Sequence, residues 1–152
     1  MDAAERRAIE WDCQQTLTRF INCLDARRYR DLAALFAPDG AWFQGGKPLR
    51  GPAAILAALE SRPEAPSLVT QHVVTNIVVD IVDADHAEAM TYLTVYRHDG
   101  AVEAGAPAPL AGPYMVGVSA NKLVRGSEGW LIAEKRTIRN FERAGGKQGG
   151  AS

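Results

Sequence analysis

Leu24–Trp42 reads LDARRYRDLAALFAPDGAW, and the order of its parts decides the fold. An acidic residue closes a long helical pattern. A short amphipathic segment follows, with Tyr29, Leu32, Leu35 and Phe36 apolar at helical spacing. Pro38-Asp39-Gly40 then breaks the chain sharply. The next four residues, AWFQ, are short and aromatic and fit a strand. Upstream, residues 3–27 hold no Gly or Pro, and Ile9, Cys13, Leu17, Phe20, Ile21 and Leu24 make one apolar stripe. That spacing predicts a long first helix, ending where Asp25 stands.

Downstream, Gly45-Gly46-Lys47-Pro48 makes a turn, and PAAILAALES over 52–61 predicts a third helix with Pro52 in its first turn. Pro63 and Pro66 end it. The remainder reads as strands over 68–83, 87–98, 114–125 and 130–140. Turns at Asp83-Ala84-Asp85 and Gly126-Ser127-Glu128-Gly129 join them in pairs, and a Gly/Ala/Pro-rich loop spans 99–113. Helices first and then an antiparallel meander argue an α+β domain. The expected architecture is a cone-shaped, strongly curved antiparallel sheet packed by about three N-terminal helices. Such a cone is a natural small-molecule pocket. A single domain is expected over 1–143, with a disordered Gly-rich tail over 144–152.

Composition narrows the functions. The chain has 152 residues, 47% of them hydrophobic, enough for a core with room for a cavity. Its net charge of -1 gives no footprint for nucleic acid or an anionic membrane. The opening MDAAERRAIEWD is charged from the start and lacks a secretory apolar core, and no apolar run approaches the roughly 20 residues of a membrane span. A cytoplasmic location is therefore expected. Cys13 and Cys23 stand ten positions apart, roughly 15 Å along a helix axis, beyond disulfide reach. They read as small buried thiols in a reducing compartment. No histidine pair has metal-ligand spacing, and CxxC, GxGxxG, P-loop and GxSxG motifs are missing. Neither metal nor cofactor is expected.

The chemistry centres on Asp25 and His72. An imidazole aimed into an apolar cavity with a carboxylate behind it is a general base, its tautomer fixed and its far nitrogen bare. The bland reading is a buried histidine satisfied by a helix-end carboxylate. Strand alternation puts His72 on one face with Val74 and Asn76, which makes Asn76 a candidate substrate contact. Ser119 and Asn121 share a face with Met115, Gly117 and Leu123, and suit either a substrate oxygen or neighbouring backbone groups. Trp42 is a pocket or a core aromatic. Arg97 suits a carboxylate or enolate oxygen, or else snorkels from a strand end. His86 and His98 read as solvated. The run Glu134-Lys135-Arg136 with Arg139 reads as mixed charge on an outer face or a subunit interface.

The order of elements resembles the SnoaL-like group of the nuclear transport factor 2-like superfamily, a cystatin-like α+β barrel, over about residues 5–142. The resemblance is carried by LDARRYRDLAALFAPDGAW, by QHVVTN over 71–76 and by GWLIAEKRTIR over 129–139. In scytalone dehydratases and hexachlorocyclohexane dehydrochlorinases of that group, an aspartate and a histidine match Asp25 and His72. The resemblance implies that the histidine takes a proton from carbon while the aspartate orients it. A dehydratase serine and asparagine match Ser119 and Asn121 in VSANKL. Departures stand at Leu24 and Gln44, opposite two tyrosines, at Arg97 opposite a second histidine, near Phe20 where a lysine stands, and at Thr70 opposite a cysteine. The resemblance thus implies a retained proton-abstracting pair among changed substrate groups.

Two functions are expected. One is a cofactor-free lyase or isomerase of dehydratase or dehydrohalogenase type, acting on a small cyclic substrate. The alternative is a non-catalytic ligand-binding or assembly module, like the small subunit of ring-hydroxylating dioxygenases. A homo-dimer or homo-trimer paired through the sheet is expected.

Overall fold

A computed structural model of the chain describes residues 1–63 and 67–144. The tail expected beyond the domain lies, from residue 145, outside the described residues. The elements are α1 (Ala3–Asp25), α2 (Tyr29–Ala33), β1 (Phe36–Phe43), β2 (Leu49–Arg50), α3 (Gly51–Glu60), β3 (Val69–Ile81), β4 (His86–His98), β5 (Met115–Arg125) and β6 (Trp130–Glu142).

α1 starts at Ala3 because Asp2 and Glu5 form a capping box. The Asp2 carboxylate accepts from the Ala4 and Glu5 backbone N–H groups, and the Glu5 carboxylate accepts from the Asp2 N–H. Its inward stripe is Ile9, Cys13, Thr16, Leu17, Phe20 and Ile21. α1 packs along β3 and β6, and Thr16 donates its hydroxyl to the Trp130 carbonyl at 2.9 Å. The helix ends in a Schellman motif. Arg27 N–H bonds the Leu24 carbonyl at 3.1 Å and Arg28 N–H bonds the Cys23 carbonyl at 2.8 Å. Arg27 itself sits in the left-handed region at φ 53°, where glycine is usual.

The six strands form one sheet in the order β2-β1-β6-β5-β4-β3. β3 through β6 make the antiparallel meander. The sheet is mixed rather than wholly antiparallel, because β1 pairs with β6 in parallel. This parallel edge follows from α3, which carries the chain away after the short β1–β2 hairpin and lets β1 flank the end of the meander. β1 begins earlier than the aromatic AWFQ, at Phe36, and the PDG segment is an irregularity inside it. Gly40 is required there, since a Cβ would lie 2.6 Å from the Ile132 carbonyl oxygen.

Three further register shifts bend the long strands, at Thr75/Val78, Val116/Gly117 and Lys122/Leu123. The core lies between the inner sheet face and the helices. Phe20 meets Trp42 edge-on at 5.1 Å and Phe36 at 5.9 Å, and Leu32, Ile55, Leu59, Leu123 and Ile132 close around them. No helix among the described residues is long and apolar enough to cross a membrane.

Candidate active site

Asp25 occupies the last turn of α1, the negative end of the helix dipole and a poor place for an unaided carboxylate. Two bonds from one residue compensate. Asp25 Oδ1 lies 2.5 Å from His72 Nδ1, and Asp25 Oδ2 accepts the His72 backbone N–H at 2.8 Å. The carboxylate thus grips ring and backbone of the same histidine. A carboxylate at Nδ1 favours the tautomer of the neutral ring that carries its proton there and its lone pair at Nε2. Among the described residues, Nε2 makes no hydrogen bond with the protein.

His72 forms part of the wall of a cavity of about 200 Å³. Leu24, Leu68, Thr70, Val95 and Met115 supply apolar and small lining, and Tyr29 and Tyr114 bring two phenols. Four arginines, Arg27, Arg62, Arg97 and Arg139, complete it. The His72 side chain keeps 16% of its surface exposed, so the ring is reachable from the cavity. A second depression of about 600 Å³ lies between α1 and the β5–β6 turn, lined by Trp11, Asp12, Arg19, Glu128 and Trp130 among others. It has no imidazole, so volume alone does not make it the better site.

Of the five residues expected to touch substrate, Arg97 lines the cavity and the other four do not. Asn76 does not share the His72 face. The alternation Thr70, His72, Val74 ends at the β3 bulge, where Asn76 takes φ 51° and is exposed. Trp42 is a core aromatic, packed on Phe20 and Phe36, with the Arg62 guanidinium 5.8 Å from its ring centre. Ser119 and Asn121 lie deeper along the inner face, 1% and 3% exposed, and their polar atoms are engaged. Asn121 Nδ2 donates to the carbonyls of Ala89 and Ser119, and Ser119 Oγ donates to Asn121 Oδ1.

The group that engages them is Lys135, whose Nζ donates to Ser119 Oγ at 2.8 Å and Asn121 Oδ1 at 3.1 Å. It also sits 4.6 Å from the centre of the Phe20 ring. The expectation of an outer-face charge is corrected here: Lys135 is 5% exposed and points inward. Ala133 is the extra residue in the register, since Leu123 faces Ile132 while Lys122 faces Glu134. The bulge reverses the parity of β6, sending Lys135 rather than Glu134 into the core. Burial lowers the Lys135 ammonium from its ordinary 10.5 to about 7, and no carboxylate contacts it among the described residues.

Leu24 and Thr70 line the cavity, while Gln44 is exposed and accepts from Arg62 at 2.8 Å. His86 is exposed at its turn, bonded to Asp83, and His98 is half-buried, with no partner for Nε2 among the described residues. Cys13 and Cys23 are buried free thiols, and burial first, then the Asp12 charge, pushes Cys13 up to about 12. Neither reads as a nucleophile.

Sequence reasoning missed Tyr29, Tyr114, Arg27, Arg62 and Arg139 as cavity residues. Arg139 was visible only as part of a charged run, and its inward turn depends on the same bulge that turns Lys135. The tyrosines carry no sequence signal beyond being aromatics at element ends.

A bent mixed sheet wrapped over helices, with an oriented histidine in the wall of a cavity, defines a cone-shaped α+β protein of the cystatin-like type. The chain belongs to the SnoaL-like domain family, which it matches over residues 5–136. Among solved structures, a protein from Catenulispora acidiphila is 25% identical, with 88% of this chain and 93% of that one covered and a TM-score of 0.69. A structure from the same organism in complex with S-DNPA is likewise 25% identical, with 88% of this chain and 94% of that one covered and a TM-score of 0.69. A provisional scytalone dehydratase from Novosphingobium aromaticivorans is 16% identical over 93% of this chain and 91% of its own, with a TM-score of 0.77. A hexachlorocyclohexane dehydrochlorinase from Novosphingobium barchaimii is 19% identical over 95% and 96%, with a TM-score of 0.74. The last two likenesses speak for the fold. No curated protein sequence matches the chain.

Proposed function

We propose that the chain is a cofactor-free lyase or isomerase in which His72 removes a proton from carbon. The observation that carries this reading is the His72 ring in the cavity wall, fixed through Nδ1 by Asp25, with no hydrogen bond to Nε2 among the described residues. Nε2 takes the proton. In a lyase the C–H electron pair becomes the new carbon–carbon π bond, and the bond to a hydroxyl or halide on the adjacent carbon breaks. Halide leaves as the anion. A departing hydroxide takes a proton from the imidazolium and leaves as water. In an isomerase the imidazolium returns its proton to a different carbon. Asp25 holds the imidazolium in place at each stage, while apolar walls limit water. Dehydratase and dehydrochlorinase relatives in fold are consistent with such a step.

The test needs no natural substrate. Cyclic ketones with an acidic C–H and a β-hydroxyl or β-chloro group are incubated in D2O, and deuterium wash-in and elimination are followed by NMR. Wild-type protein should accelerate one or both. His72→Ala and Asp25→Asn should each lower the rate at least about a hundredfold, the usual worth of general base catalysis. Turnover unchanged in His72→Ala sinks the mechanism.

The alternative is a non-catalytic ligand-binding or assembly module. It is favoured by the outer sheet face, where Val73, Val78, Met90, Tyr92, Ile138 and Phe141 are exposed. We propose that this face pairs copies of the chain as a homo-dimer or homo-trimer, which is compatible with either reading.

A further inference from the structure

We infer that the ligand of the His72 cavity carries a carboxylate, and that Arg97 is the residue that holds it. This inference deepens the lyase or isomerase reading and rests on the same cavity. Among the described residues, the charged side chains that line the cavity, apart from His72 itself, are arginines, and the carboxylates paired with two of them, Asp99 on Arg97 and Glu142 on Arg139, are not in the lining. The chain as a whole is almost neutral, with 17 basic and 18 acidic residues. Four guanidiniums around one small cavity are therefore a local concentration of charge and do not follow from overall composition. Guanidinium N–H groups that face a cavity while their carboxylate partners lie outside its lining favour a ligand that accepts hydrogen bonds, above all an anion.

Arg97 is the best prepared of the four. Its Nε donates to both oxygens of Asp99, each at 3.1 Å, and its guanidinium lies 5.6 Å from the centre of the Tyr114 ring. Asp99 and Tyr114 fix the plane of the fork from its Nε edge and from one face. Its two terminal nitrogens make no hydrogen bond among the described residues. That free edge has the spacing for a bidentate bond to a carboxylate, and its orientation is already fixed before binding.

Register places Arg97 correctly for the chemistry. Arg97 faces Thr70 across β3 and β4, and His72 is two residues along on the same inward face. Arg97 and His72 are therefore diagonal neighbours, roughly 7 Å apart at the backbone. A carboxylate held by Arg97 would leave a carbon a few bonds away beside Nε2. Arg139 lines the same cavity from β6, with one terminal nitrogen on Glu142 at 2.9 Å, and adds to the positive field. The carboxylate acts as a handle that sets which C–H faces the base.

The experiment measures binding and does not use turnover, so it stays readable if the lyase reading fails. Three matched pairs serve as probes: benzoate and benzamide, phenylacetate and phenylacetamide, 2-naphthoate and 2-naphthamide. Affinity is read by isothermal titration calorimetry at pH 7.5 and low salt. At least one acid should bind ten-fold or more tighter than its amide. Arg97→Gln should remove that preference while leaving the thermal midpoint close to wild type, and Arg97→Lys should restore part of it. His72→Ala should keep the acid preference, since the base does not hold the handle. No acid preference in any pair, whether through equal binding or none, overturns the inference. So does a preference that survives Arg97→Gln.

Discussion

At the residue scale, His72 is specified twice by one carboxylate, through its ring and through its backbone N–H. This double grip makes Asp25→Asn informative. The amide oxygen can still accept one bond, but an amide beside Nδ1 no longer favours the N–H tautomer or the imidazolium. Activity should therefore fall at least about a hundredfold while the fold persists, as judged by circular dichroism. Lys135 makes a separate prediction about stability. Its folded-state value near 7 lies below the unfolded 10.5, so between these pH values the unfolded chain binds more protons. Stability should rise with pH across that window by about 1.4 kcal/mol per unit from this group, level off above it, and be lowest below pH 7. Lys135→Met should remove this slope in urea unfolding measured from pH 7 to 10. Ser119 and Asn121 would still bond each other in that variant.

At the element scale, the bulges do the positioning. The β3 bulge at Asn76 limits the cavity face to Thr70, His72 and Val74, and the β6 bulge at Ala133 turns Lys135, Thr137 and Arg139 inward. Gly117 stands at another shift, where a Cβ would lie 2.2 Å from the Ile138 carbonyl oxygen. Backbone cannot yield as a side-chain tip can. Gly117→Ala should cost about 2–3 kcal/mol in chemical denaturation, and it should disturb ligand binding because Arg139 faces Gly117 in the register. In the core beneath, Phe20→Ala should cost about 3–5 kcal/mol, since the ring touches Trp42, Phe36 and the Lys135 ammonium together.

At the scale of the whole molecule, the sheet has two unlike faces. The inner face holds the core and the cavity. The outer face carries Val73, Thr94, Val116 and Phe141 in one cross-strand row, and Thr75, Tyr92, Val118 and Ile138 in the next. An apolar face of this breadth left in water is the one proposed to pair copies of the chain. Light scattering should give a dimer or trimer at micromolar concentration, and Tyr92→Glu combined with Ile138→Arg should shift it to monomer. A wild-type monomer would contradict the expectation.

The fold was legible because its signals are local. Helical stripes, the PDG break and the Val-rich alternating runs each depend on neighbours within a few residues, and their order along the chain names the architecture. The pairing of Asp25 with His72 was legible through the resemblance to the SnoaL-like group, and the structure brings the two side chains together. The details of the site were not legible, for one physical reason. A single bulged residue reverses which side chains face inward, and no local pattern marks where a bulge falls. Alternation therefore placed Asn76 on the cavity face and Lys135 and Arg139 on the outer face, whereas the bulges turn Asn76 away from the cavity, Lys135 into the core and Arg139 to the cavity wall. The sequence alone determined the order of helices and strands and, through its resemblance to the SnoaL-like group, pointed to Asp25 and His72 as partners. Only the tertiary structure decided what surrounds them, because the arginine-lined wall is assembled from α1's end, the residues after α3, β4 and β6, which meet through register and bulges alone.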